Sequence, residues 1–500
     1  MNPKKAFSKL KKISEDSHAI SDVSAIVSWD QEVNMPPKGL ENRGRMMSWL
    51  AQQRHKNATN PEIGEALETT RSGDWNEKEK ACLREWQRDW DLSTKIPADL
   101  VQRAALASVK GHESWKSARE KNDFSIFRDD LKELIDLSKE RAECIGYTTE
   151  SYDALLDMYQ AGMNVQGIDA LFTNLKNKLT PLLEEILDWQ GEIEDDPVAG
   201  HYSQEEQKKF CEWGAKHIGF DFDAGRIDTA VHPFCSGAGP GDIRLTTRYN
   251  LENPFDSFFG SLHETGHGLY EQGLPSGKDE YGTPLSESVS LGIHESQSLF
   301  WESIVGQSPE FWEYVLPFFK EHFPGRADSV THAQIVRRTN KVSRSLIRVE
   351  ADEVTYPLHV ILRFEIERDI FRGNLSVDDL PDAWNQKMQE LIGVTPPSNT
   401  LGVLQDVHWS MGGFGYFPTY ALGRLYSAQF TETLSKDVPS WKDDMAKGDC
   451  SPALEWSRKN IHSRGSIYRT EQLIEKVTGI PPSEEPFLNY LRKKYKSIFS

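Results

Sequence analysis

The pentapeptide His263-Glu264-Thr265-Gly266-His267 constrains this chain more than any other stretch. It sits inside Asn253–Gly273, which reads as one helix. Asn253 is an N-cap type, Pro254 falls at the first helical position, and Gly273 is a stop signal. Phe255, Phe258, Phe259, Leu262, Gly266, Leu269 and Tyr270 recur at helical spacing and make an apolar stripe. His263 and His267 are four apart, so both imidazoles leave the same side about one turn apart. Two ligands of one zinc ion need that geometry. Glu264, one step round, can reach a water at the metal and act as general base. The bland alternative is two ordinary helix histidines and a solvated Glu. A chance His-Glu-x-x-His would rarely fall inside a capped helix with an apolar stripe.

The chain has 500 residues, more than a single hydrophobic core usually holds, so several subdomains are expected. Its net charge of -19 excludes a general nucleic-acid binder and a protein of anionic membrane surfaces. Cys82, Cys144, Cys211, Cys235 and Cys450 are widely spaced, with no CxxC pair, and read as free thiols in a reducing compartment. Met1–Glu15 carries lysines but no apolar run, so it does not read as a signal peptide. No stretch approaches the ~18 apolar residues of a membrane span. A soluble cytoplasmic protein is expected, with no nucleic-acid or membrane partner.

Residues 1–200 read as almost wholly helical: Ala6–Val27, a break over Trp29–Pro37, then Glu41–His55, Glu77–Lys95, Pro97–Asn122, Phe124–Ile145 and Asn164–Ile193. Their charge runs read as solvated faces, and no fixed repeat period supports a solenoid. The texture changes near residue 220. Arg226–Phe234 and Asp242–Tyr249 alternate and flank the glycines of 237–241, which predicts a small β-hairpin or two-stranded ribbon. Asp242, Arg244, Thr246 and Arg248 would share one face beside the metal helix, where an extended peptide could align. The same pattern also suits an exposed edge strand. Thr283-Pro284 is predicted to start a helix reaching Ile304. Residues 330–373 read as further helix, with a kink at Pro357, and the chain from Ala421 to Ser500 as helical again.

A catalytic zinc needs three protein ligands and an open position. The acids on the 283–304 helix are Glu287, Glu295 and Glu302. Glu287 would lie in the first turn, where an acid complements the helix dipole, and Glu302 at the end. Glu295, mid-helix, is taken as the third ligand. Its neighbour His294 is a ligand-supporting partner, a substrate contact or a structural histidine. Glu350, Asp352 and Glu353 could hydrogen-bond the ligand histidines. Arg348 is either a clamp for a substrate carboxylate, which guanidinium matches bidentately, or a salt-bridge Arg. The Gly- and aromatic-rich run Leu401–Tyr420 can bring donors to a developing oxyanion, with His408 and Tyr420 or Tyr416 as the donors; the alternative is an aromatic packing loop.

These pieces together resemble the carboxypeptidase Taq family of metallocarboxypeptidases. The matching residues are His232-Pro233-Phe234, Asp242-x-Arg244-x-Thr246, His263-Glu264-x-x-His267, His294-Glu295-Ser296-Gln297, Ile347-Arg348-x-x-Ala351-Asp352 and Gly402-x-x-Gln405-Asp406-x-His408-Trp409, in the family's order. Trp29-Asp30, Met35-Pro36, Tyr152–Asp157 and the tail around Ile461-His462 extend the match over essentially the full chain. Gln160, where an acid is frequent, and Cys235, where a small hydroxyl is more usual, depart from the pattern. The resemblance implies a mainly α fold: a large helical zincin with a deep active-site groove, similar to neurolysin and angiotensin-converting enzyme, with one small β-ribbon beside the metal helix. It implies one 1–500 peptidase unit, with residues 1–200 as one side of the groove, 220–430 as catalytic core and 431–500 as C-terminal helices. It also implies a homodimer and one Zn²⁺, Co²⁺ in some members, bound by His263, His267 and Glu295. The implied activity is release of single C-terminal residues from peptides with broad side-chain tolerance. Glu264 would be the base, and His408 with Tyr420 or Tyr416 would stabilise the intermediate. Arg348 would contact the substrate carboxylate, with Asp242, Arg244, Thr246, His232 and His294 as further substrate contacts. Without the family, an oligopeptidase cutting inside short peptides stays open, as does a helical interaction protein with a structural metal. Glu264 argues against the last, because a structural site needs no base and is usually closed by four protein ligands.

Overall fold

The structure, a computed structural model, describes residues 1–192 and 196–500. Four helices come first: α1 (Pro3–Val33), α2 (Leu40–Ala58), α3 (Pro61–Thr70) and α4 (Glu77–Lys95). The Asn2 side chain caps α1 by accepting from Lys5 N, and an Asn76/Glu79 capping box starts α4. The expected break at Trp29 does not occur. Nothing between Trp29 and Val33 forbids a helix, and the stop comes just before Pro36-Pro37, whose rings push the preceding residue out of the helical region. Then follow α5 (Ala98–Lys121), α6 (Ser125–Ile145), α7 (Ser151–Tyr159), α8 (Val165–Gln190) and α9 (Gln204–His217). The predicted end of α8 at Ile193 lies outside the described residues.

The strand region is a three-stranded sheet rather than a two-stranded ribbon. Its strands are β1 (Gly225–Thr229), β2 (Cys235–Gly237) and β3 (Ile243–Thr247), in the order β1-β3-β2. β2 pairs antiparallel with β3, and β1 pairs parallel with it, Ile227 opposite Leu245. The chain reverses between Thr229 and Cys235 and again at Gly239 and Gly241, both with positive φ. Two reversals return β3 to the direction of β1, so it inserts between its predecessors.

The metal helix α10 spans Pro254–Gly273, with the Asn253 side chain accepting from Phe255 N. The predicted 283–304 helix is broken. Thr283 caps only a short turn, Pro284–Ser286; Glu287 is extended; and the Ser290 side chain, accepting from Ile293 N, starts α11 (Leu291–Leu299). Glu287 is therefore not a first-turn acid. α11 continues into a π-helical turn, Phe300–Val305. The 330–373 helix is also two pieces: α12 (Pro309–His322) precedes α13 (His332–Thr339), and α14 covers Tyr356–Arg372. Pro357 starts α14 instead of kinking a longer helix, because its missing N–H costs nothing in a first turn. The remainder is α15 (Leu380–Leu391), α16 (Pro418–Asp437), α17 (Trp441–Ala446), α18 (Ser451–Asn460), α19 (Thr470–Thr478) and α20 (Glu485–Phe499).

One hydrophobic core runs from α5 to α20, with Phe258, Leu262 and Leu269 of α10 at its centre. A separate small core joins α1, α3 and α4 through Leu10, Leu67 and Trp86. α11 lies clamped between α10 and α16. A Cβ at Gly266 would stand 2.6 Å from the Gln297 carbonyl oxygen, and one at Gly423 would stand 2.5 Å from the Glu295 side chain. These two bare backbones let the helix carrying Glu295 approach the histidines.

Candidate active site

α10 presents His263 and His267, and α11 delivers Glu295. One ligand atom from each lies within 4.8 Å of the others. Both histidines turn Nε2 to the acid: His263 Nε2 is 3.8 Å and His267 Nε2 3.6 Å from Glu295 Oε2. Their Nδ1 atoms face away. His263 Nδ1 meets Glu302 Oε2 at 2.8 Å, and His267 Nδ1 meets His294 Nδ1 at 2.5 Å. His294 Nε2 in turn meets Glu271 Oε1 at 2.7 Å. Four carboxylates, Glu264, Glu271, Glu295 and Glu302, thus surround two imidazoles. Burial opposes charge on His263, yet the Glu302 hydrogen bond and the charges of Glu295, Glu302 and Glu264 push it up to about 10. This spot favours a positive charge, and the His-His-Glu donor set with outward partners fits a divalent cation.

Glu264 is 7% exposed. Burial pushes it up to about 7, with His263 pulling it down and Glu295 and Glu302 pushing it further up. A carboxyl poised there can take and return a proton near neutral pH.

A second cluster of polar groups comes from residues 348–363 and 405–420. Asp406 accepts from Arg348 Nε at 3.0 Å and Nη2 at 2.8 Å, and from Arg363 Nε at 2.6 Å. Arg348 is 4% and Arg363 0% exposed. Burial works against the charge of Asp406, but Arg363 and Arg348 outweigh it and hold the carboxyl well below its ordinary range. Two buried guanidinium ions against one carboxylate leave a net positive charge here. Arg348 Nη1 also donates to Tyr356 OH at 2.6 Å. His408 Nε2 lies 3.3 Å from Tyr420 OH. Burial lowers His408 to about 4 against the pull of Asp406, with Arg348 and Arg363 adding to the lowering, so its imidazole is neutral near pH 7. Burial raises Tyr356, Tyr416 and Tyr420, and the charge of Glu295 adds to the rise in each.

The remaining expected contacts scatter. Asp242 accepts from Arg244 Nε and Nη2, both at 2.8 Å, and Arg244 lies 4.2 Å from the Trp29 ring centre. Thr246 is 0% exposed; its hydroxyl accepts from Phe234 N at 2.8 Å, so it pins the chain into β2 instead of facing a ligand. His232 is exposed. His294 has both ring nitrogens engaged, which leaves none for a substrate. Nor do Glu350, Asp352 and Glu353 back the histidines. Glu350 is exposed, Asp352 accepts from Ser343 N and Thr355 N, and Glu353 pairs with Lys494.

The histidine partners are Glu302 and Glu271, neither of which the sequence reading selected. Glu271 was within reach of it: His263, His267 and Glu271 are spaced four apart, one face of one helix. Glu302 was not, since a π-helical turn sets its direction. Asp406 and Arg363 were missed because a buried ion network has no local spacing.

A mainly helical chain with a His-Glu-x-x-His helix and an acid ligand on the next helix defines a helical metallopeptidase. The family model described as carboxypeptidase Taq (M32) metallopeptidase matches residues 9–495, and the chain belongs to that family. It is 41% identical to thermostable carboxypeptidase 1 of Thermus thermophilus, with all of both chains covered. It is 35% identical to carboxypeptidase 1 of Bacillus subtilis, over 99% of this chain and 98% of that one. The M32 carboxypeptidase from Deinococcus radiodurans superposes with a TM-score of 0.95 at 35% identity, covering 99% of each chain. Metallocarboxypeptidase 1 of Trypanosoma cruzi superposes with a TM-score of 0.95 at 36% identity, covering 98% of this chain and 99% of that one. The protein is a metallocarboxypeptidase: it hydrolyses peptides and uses a metal. Among the described residues no helix is long and apolar enough to cross a membrane.

Proposed function

We propose that this enzyme is a zinc carboxypeptidase of broad specificity that removes single residues from free peptide C-termini. His263, His267 and Glu295 would hold Zn²⁺, with Co²⁺ a functional replacement. A cation held there supplies Lewis acidity, polarising the scissile carbonyl and acidifying a water. Glu264 takes the proton of the attacking water and passes it to the leaving amine. His408, neutral at working pH, and Tyr420 donate to the oxyanion, with Tyr416 as the neighbouring phenol. The excess positive charge at Arg348 receives the terminal carboxylate, so only the last peptide bond reaches Glu264. Asp242 and Arg244 limit how the peptide end sits; Thr246 acts by fixing their strand, and His232 lies on the exposed approach.

The observation that carries this reading is the convergence of His263, His267 and Glu295 beside the buried Glu264. The reading extends to one peptidase unit over 1–500, with residues 1–200 forming one side of the groove, and to a homodimer, which sedimentation velocity would test. Five free cysteines suit a cytoplasmic enzyme.

The test is a mass-spectrometric time course on a peptide and its C-terminal amide, with and without chelator. Stepwise loss from the free peptide only, abolished by chelator and restored by Zn²⁺ or Co²⁺, is expected. Internal cuts in both peptides would make the enzyme an oligopeptidase. Glu264→Gln should lower kcat by about 10²–10⁴ while metal stays bound; full activity in that variant would remove Glu264 as the base.

A further inference from the structure

The two ligand histidines are backed unequally. His263 rests directly on a carboxylate, Glu302. His267 rests on another imidazole, and only that imidazole reaches a carboxylate, Glu271. Both ligands present Nε2 to Glu295, so the lone pair needed for a cation is on Nε2 and the proton must be on Nδ1. A neutral imidazole has one donor and one acceptor. His267 Nδ1–H therefore requires His294 Nδ1 to be the acceptor, which leaves the His294 proton on Nε2, aimed at Glu271 Oε1. The tautomer of one ring fixes the next, and Glu271 fixes the first.

We propose that Glu271 and His294 form a positioning relay that locks His267 in its metal-binding tautomer, so that Glu271 sets metal affinity without touching the metal. The inference rests on the metal reading above. The relay also ties α10 to α11 beside Glu295, because Glu271 lies four residues beyond His267 and His294 immediately precedes the third ligand. Its members are largely shielded: the side chains of His294 and Glu271 are 18% and 26% exposed. Water therefore competes little for these bonds. The rival acceptor for His267 is the His294 backbone.

The experiment is equilibrium competition for Zn²⁺ between the apoprotein and a chromophoric chelator, with apoprotein Tm and circular dichroism as fold controls. Glu271→Leu should weaken Zn²⁺ binding by about 10–100-fold with the apoprotein fold unchanged. Glu271→Gln, which keeps an acceptor oxygen, should recover most of that loss. His294→Phe should cost as much as Glu271→Leu, and the double variant no more than His294→Phe alone, because the two act in series. The visible absorption of bound Co²⁺ should change in Glu271→Leu and return in Glu271→Gln. Binding within twofold of wild type in Glu271→Leu would assign the Nδ1 proton to the backbone carbonyl and overturn the relay, as would losses that add in the double variant. A wild-type apoprotein that takes up no Zn²⁺ would overturn the metal reading itself, a different failure.

Discussion

The N-terminal helices and the body of the protein are held by different chemistry. Around α10 the body is a mesh of rings: Phe210 stacks on Phe258 at 4.3 Å, Phe255 on Phe319 at 5.5 Å, and Trp312 meets Phe255 and Phe258. α1, α3 and α4 share their own small core, which Leu285 and Ile467 of the body complete; their other ties to the body include many polar ones. Trp29 lies between Arg226 and Arg244, at 5.0 and 4.2 Å. Asp22 accepts from Tyr281 OH at 2.7 Å, Lys78 pairs with Glu280 at 2.9 Å, and His18 with Glu287 at 2.9 Å. The metal helix is thus set in close-packed material, whereas the N-terminal helices are attached by a small apolar seam at Leu285 and by polar contacts worth about 1 kcal/mol each or less. Regions attached that way open at a fraction of the global unfolding free energy. The packing around α10 and the attachment of the N-terminal helices can therefore be perturbed separately.

The largest expected effect lies in the body. Asp406→Asn leaves Arg348 and Arg363 buried without their shared anion, and breaking a buried pair costs about 3–5 kcal/mol. A denaturant titration should show that loss with a cooperative transition. Breaking the exposed Lys78–Glu280 pair by Lys78→Ala should cost about 1 kcal/mol or less. If the two variants lose equal stability, the contrast between body and N-terminal helices is wrong.

Acid should also act on the body first. His359 and His462 are 0% exposed. Burial, reinforced by Arg363 at His359 and by Arg458 at His462, lowers each to about 3. Unfolded histidine takes its proton near 6.5. Each native pKa lies below the unfolded one, so their stabilising contribution is complete above about pH 6.5 and is lost as the pH falls towards 3. The slope is about 1.4 kcal/mol per pH unit for each group between those limits. His359→Leu should lower the dependence of stability on pH between 7 and 4 by about 1.4 kcal/mol per pH unit, read from urea midpoints. An unchanged slope in that variant would show that His359 is not the group taking up the proton.

What was legible in the sequence follows the same division. Helices such as α4 and α10 were readable because caps, spacing and stops all lie within one element. His263, His267 and Glu264 were readable for the same reason, and Glu295 because so few acids were available on the next helix. The tertiary arrangement was not. Nothing local says that β3 inserts between β1 and β2, since that depends on two chain reversals. Thr246 looks like a ligand contact by strand alternation, and only the position of Phe234 shows that its hydroxyl is already used. Pro357 is compatible with a kink or a start, and the irregular 340–355 segment, ordered by the Arg348–Asp406 pair, decides between them. α1 runs on to Val33 because nothing before Pro36 breaks a helix, so a run of mixed polar residues is no sign of a break by itself.

A smaller effect is expected where α1 meets the sheet. Trp29→Ala removes the stack on Arg226 and Arg244, worth about 0.5–1 kcal/mol per guanidinium, and unpins Arg244. Hydrogen exchange in α1 should quicken by about tenfold while amides of α10 keep their protection. The KM for a peptide substrate should rise with kcat little changed, because the metal helix is untouched. Equal quickening in α10 would mean that the N-terminal helices and the body open as one unit.

The smallest effect separates the two kinds of contact within that joint. Raising salt from 0.1 to 1 M shortens the screening length from about 10 to 3 Å. Lys78 and Glu280, with side chains 57% and 24% exposed, are open to that screening. The buried Trp29 stack is shielded from it. If the ion pairs hold the N-terminal helices, exchange in α1 and α4 should rise by about twofold to threefold in high salt, and Lys78→Ala should abolish the increment. If the Trp29 stack holds them, salt should change little in the wild type, and Trp29→Ala alone should make exchange salt-sensitive, because the ion pairs would then carry a larger share of the attachment. Either result places the joint; equal salt sensitivity in α10 and α11 would erase the distinction between the N-terminal helices and the body.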